Sequence, residues 1–184
     1  PERAALPACK EKEMLKSILL AAAGTMFAST AFAHVTLEQQ EARVGAGYKA
    51  VFRVPHGCAG SATTSIRVKI PEGYIGAKPM PKPGWTLNIT KGKYAKAYKA
   101  YGHPISEGTT DHDWTGGKLL DDNYDEFVMS GSLADSLPVG EMIYFPVVQE
   151  CEKGTARWIE KPAAGGDPDS VEHPAPAVKL LPKN

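Results

Sequence analysis

An excess of charge is absent from this sequence: 21 Lys and Arg stand against 21 Asp and Glu in 184 residues. Without a basic stripe to neutralise phosphates, nucleic-acid binding by counterion release is excluded as the main activity. Cysteine is scarce, with three in the chain, and aromatic residues make up 8%. No repeat with a period of about 20 to 50 residues is visible, which removes solenoids and propellers. Helical periodicity is nearly absent; only residues 134–137 hint at a helical turn. There is no Gly-x-Ser-x-Gly elbow, no phosphate-binding glycine loop and no His-Glu-x-x-His pair, so the common hydrolase, nucleotide and zinc-protease signatures are all missing.

What is present begins with a composition break near the front. Residues 14–33 open with Met14 and Lys16, continue through the apolar run Ile18 to Ala23, and close on Ala31-Phe32-Ala33. A charged start, a short apolar stretch and a small-x-small ending predict a secretory signal peptide, hence a periplasmic protein. The run is too short and too interrupted to span a bilayer, and no later stretch of about 20 apolar residues follows, so no membrane span is expected in the mature chain. Residues 1–13 read as an upstream extension outside the fold. The mature protein is then expected over residues 34–184, long enough for one domain with its own core.

The mature region keeps two cysteines, Cys58 and Cys151. In an oxidising compartment an even pair reads as a disulfide, with a soft thiolate site for copper as the less supported alternative. Along the mature chain apolar and polar residues alternate in short runs, as in residues 48–54 and 63–70, stopped by Pro55-His56-Gly57 and Pro71-Glu72-Gly73. Further strands are expected at 85–91, 95–101, 110–115, 124–131, 142–151 and 155–160, with a last short one near 178–181. Two antiparallel sheets burying their alternate faces against each other are the simplest solution, so the fold class is all-β, a sandwich with a Pro- and Gly-rich tail.

Cleavage after Ala33 makes His34 the first mature residue. Its free amine and its imidazole both lose their protons at little cost near neutral pH, and together they chelate one metal. Paired nitrogens of this kind favour Cu(II). The plain alternative is that His34 is incidental to signal cleavage. In Asp111-His112-Asp113 a strand would send the carboxylates one way and the imidazole the other, which argues against a compact site there. His56, His103 and His173 each sit beside Pro or Gly and read as loop residues rather than ligands. The tyrosines and lysines of residues 93–101 read as a solvated edge strand.

These residues carry a resemblance to the YcnI-like family of exported copper-binding proteins, and to its proteobacterial branch. It runs from His34-Val35-Thr36-Leu37 through Val68-Lys69-Ile70-Pro71-Glu72-Gly73, Pro83-Gly84-Trp85, Trp114-Thr115-Gly116-Gly117 and Tyr124-Asp125-Glu126-Phe127. It continues through Tyr144-Phe145-Pro146-Val147-Val148-Gln149 and Arg157-Trp158-Ile159-Glu160 to His173-Pro174-Ala175-Pro176. The resemblance implies an immunoglobulin-like β-sandwich binding one Cu(II) through a mono-histidine brace. In it the amine and imidazole of His34 bind the metal, a glutamate supplies oxygen and Trp158 packs beside the ion. Glu107 is the best match for the glutamate, with Glu126 and Glu160 open as alternatives.

A carboxylate suits the site physically, since two neutral nitrogens leave the double charge of Cu(II) uncompensated. A Trp ring excludes water and turns its negative face to the cation. The expected role is copper sequestration or trafficking, a metallochaperone rather than an enzyme. Its expected partners are copper and either another periplasmic copper chaperone or a copper-handling membrane protein. A copper-dependent oxidative enzyme and a metal-free binding sandwich are the alternatives. The copper monooxygenases use a second internal histidine, and a carboxylate in its place disfavours reduction of the metal.

Overall fold

A computed structural model describes residues 34–183 apart from 101, 164, 168 and 169. The upstream extension expected over 1–13 and the signal peptide expected over 14–33 lie outside the described residues. Alternation of buried and exposed residues, interrupted at Val51 in β3 and at Ser65 in β4, builds the centre of the fold. In β3 (Gly47–Val54), Tyr48, Ala50, Phe52 and Val54 are buried while Lys49 and Arg53 stay exposed. In β4 (Thr63–Lys69), Ile66 and Val68 are completely buried and Arg67 and Lys69 face out. A period of two leaves each strand one apolar face, and the two apolar faces are buried together.

β3 lies between β1 (Thr36–Leu37) and β8 (Asp125–Leu133), and β5 (Tyr74–Pro79) completes a four-stranded antiparallel sheet in the order β1-β3-β8-β5. The second sheet is also antiparallel. It runs β11 (Thr155–Trp158), β10 (Val147–Cys151), β4, β7 (His103–Leu119) and β6 (Thr86–Ala100). A small third sheet pairs β12 (Ala177–Leu181) parallel to β2 (Glu41–Arg43) and antiparallel to β9 (Met142–Tyr144). The core draws on both large sheets, with Phe145 at the junction of three aromatic rings: 5.3 Å from Tyr74, 5.7 Å from Phe52 and 6.4 Å from Tyr48. The all-β sandwich expected from the sequence is therefore the observed architecture.

The strands differ from expectation in informative places. The two strands expected at 85–91 and 95–101 fall within one strand, β6 (Thr86–Ala100), whose pairing with β7 slips between Lys93 and Tyr98. The slip breaks the alternation that would have marked a single element. Residues 142–151 form two strands, because Pro146 supplies no N–H and Phe145 instead donates to the Pro176 carbonyl at 2.8 Å. β5 escapes the pattern because Gly76, at φ 64°, sits in a bulge opposite β8. Residues 134–137 make a turn, with Leu137 N–H donating to the Ala134 carbonyl at 3.1 Å, and no α-helix forms among the described residues.

Cys58 and Cys151 are joined, with Cα atoms 5.9 Å apart across 93 residues of sequence. A joined pair offers no thiolates, which removes the soft copper site.

Candidate metal-binding edge

β1 and β11 each form one edge of a large sheet, and His34, just before β1, lies beside Trp158 at the end of β11. Trp158, the last residue of β11, belongs to the core and is 6% exposed. The half-buried His34 ring lies against it, with centroids 5.6 Å apart and planes tilted by 59°. A second imidazole meets the same indole: the His173 ring stands edge-on to Trp158 at 5.1 Å and 77°. His173, expected to be a loop residue without a role, is thus half-buried in this cluster.

The indole is held from behind. Trp158 Nε1–H donates to Gln149 Oε1 at 3.0 Å. Gln149 is almost wholly buried, and its amide donates to the His56 carbonyl and to Thr63 Oγ1, both at 2.8 Å. Each polar atom of that buried side chain is therefore satisfied, as its burial requires. Gln149 lies two residues before Cys151, so the disulfide anchors residues 55–62 to the strand that orients the indole. Gln149 was missed in the sequence. Its only signal is a polar residue at an inward position of the run Val147-Val148-Gln149.

His173 is fixed by its backbone. Glu160 N–H donates to the His173 carbonyl at 3.0 Å, Ala175 N–H donates to the Glu160 carbonyl at 2.8 Å, and His173 N–H donates to Glu160 Oε2 at 2.8 Å. Of the three candidate glutamates, Glu160 is therefore the one tied to the ring cluster. Glu126 lies on the outer face of β8, beside Tyr124 and 3.8 Å from Arg53, which also binds Glu38 at 3.1 Å.

Glu107, the first choice, is elsewhere. Trp158 pairs with Val147, Val147 with Val68, and Val68 with His112, which places β7 three strands away from β11. Glu107 lies a further five residues along β7, opposite Lys93 and beyond the last pairing with β4 at Lys69 and Asp111. Strand spacing and rise put it on the order of 20 Å from Trp158. There it lines a groove of 680 Å³ with Lys78, Lys91 and Tyr94. The structure does not bring Glu107 to His34 and Trp158, because the linear order between two Trp motifs says nothing about which end of a long hairpin a residue occupies.

Asp111-His112-Asp113 behaves as strand alternation demands. His112 is completely buried, with Nδ1 3.3 Å from Met129 Sδ, while Asp113 turns to the surface and binds Arg67 and Ser65.

Among the described residues no three His, Cys, Asp or Glu side chains lie close enough to hold a metal as they stand. The fit to copper rests on the chemistry of the donors instead. Two imidazoles border one indole, the Glu160 carboxylate is bonded to the backbone N–H of one of them, and the nitrogen of His34, here the amide to Ala33, could donate to a metal only once that bond is cut. No helix among the described residues is long and apolar enough to cross a membrane.

A family described as a domain of unknown function, DUF1775, matches residues 34–180. The crystal structure of an uncharacterized protein from Nocardia farcinica, described as revealing an immunoglobulin-like fold, is similar with a TM-score of 0.59 and 27% sequence identity. The match covers 80% of this chain and 98% of that one. No curated protein matches the chain.

Proposed function

The chain belongs to the DUF1775 family, the domain of the YcnI-like proteins, and from that membership we propose that it is an exported protein binding Cu(II) at its processed N terminus. The observation that carries this reading is the His34 ring packed 5.6 Å from the buried Trp158, at the edge where β1 and β11 end. A core indole flanked by solvent-reaching imidazoles shields a cation from water on one side and faces it with ring electrons. The family match begins at His34, the residue that signal cleavage after Ala33 would expose.

His34 supplies amine and imidazole, and Trp158 packs against the metal. Glu160, rather than Glu107, supplies the oxygen. Copper is the cargo: the protein sequesters it or passes it to another periplasmic copper carrier, and it performs no chemistry of its own.

The test compares the chain starting at His34 with a version carrying one additional residue before it, using Cu(II) competition titrations and electron paramagnetic resonance. One Cu(II) with a nitrogen-rich signal is expected for the first, and an affinity lower by orders of magnitude for the second; equal affinities would overturn the brace. In the same assay Glu160→Gln is expected to change the copper spectrum, and Glu107→Gln to leave it unaltered.

A further inference from the structure

We propose that His173 is a second imidazole ligand of this site, donating through Nδ1 to the copper held by His34; the inference rests on the Cu(II) reading above. Three observations converge on it. The ring of His173 lies closer to Trp158 than that of His34 does, so both imidazoles border the same indole. Its Nδ1 is buried and has no hydrogen-bond partner among the described residues. Leaving a buried polar atom unmet is costly, and a bound cation would remove that cost.

The backbone around His173 is also held in place. Its carbonyl and N–H are both bonded to Glu160, and Pro174, Ala175 and Pro176 behind it are buried. A histidine in an ordinary surface loop would have neither a fixed backbone nor a buried ring nitrogen. Both imidazoles border one indole and the backbone of His173 is fixed, so less conformational freedom is lost on binding than in a mobile loop. The donor set becomes three nitrogens with Glu160 alongside, a combination Cu(II) accepts in tetragonal geometry.

The deciding experiment is electron spin-echo envelope modulation on the chain starting at His34 loaded with one equivalent of Cu(II), with His173→Gln beside it. The remote nitrogens of bound imidazoles are expected to show two rings in the unaltered protein and one in the variant, with affinity lower by about tenfold or more. A single-imidazole pattern in the unaltered protein would overturn the role of His173 while leaving the brace intact. Absence of bound Cu(II) in that protein would overturn both. The unaltered chain decides the matter even if the variant folds poorly.

Discussion

At the scale of single residues, His112 is the most exposed to test because it is the least exposed to water. Burial holds its imidazole at about 4, below the ordinary 6.5, with the Ala77 carbonyl and Asp111 opposing the shift in part. Between those values the unfolded chain binds a proton that the folded chain does not. Stability is therefore fully present above about pH 6.5 and falls as the pH drops toward 4, by about 3 kcal/mol in all. Urea midpoints for the wild type and His112→Gln from pH 7 to pH 4.5 should show a steeper decline in the wild type; equal slopes would mean that the imidazole reaches water when folded. At this scale the sequence was legible where chemistry is local. The Cys58 and Cys151 pair and the opposed sides of Asp111 and His112 follow from counting and from strand period. Gln149 and His173 were illegible, because their surroundings are assembled from β4, β10 and residues 160–175, far apart in the chain.

At the scale of elements, the β6 and β7 hairpin depends on close packing between an aromatic ring and a glycine. Trp85, just before β6, lies on Gly117 of β7, so that a Cβ built at Gly117 would come 2.0 Å from Trp85 Cε2. The ring is also edge-on to Phe127 at 5.0 Å, which ties the hairpin to the other sheet. Gly117→Ala should displace the indole and lower stability by about 1–3 kcal/mol, read by thermal or urea denaturation. An unchanged midpoint would show that Trp85 has room to move. The same feature explains what sequence patterns convey about elements. Alternation, loose in β3 and clearer in β4, revealed those two strands, whereas β1 and β2, at two and three residues, are too short to have a period. The continuous β6 was divided by its own register slip.

At the scale of the whole molecule, one covalent link spans 93 residues. In the chain-entropy model a loop of that length restricts the unfolded state by about 4–5 kcal/mol. The double variant Cys58→Ser, Cys151→Ser should lose stability of that order in equilibrium urea unfolding. A loss below about 1 kcal/mol would place the stabilisation in the packing between the sheets. The sandwich class was legible from the turn spacing. The small sheet was not, since its parallel pair joins β2 and β12 from opposite ends of the described chain.

That closure has a kinetic consequence. His34 precedes the first strand and His173 precedes the last, and they meet on an indole contributed by the eleventh. Folds dominated by such distant pairings form in milliseconds to seconds, after the intervening loops have closed. A chain still emerging from a ribosome has no neighbour for His34. The ring cluster is a marker of completed folding, and Trp158 emission in refolding experiments should mature in the final phase, together with docking of residues 170–181.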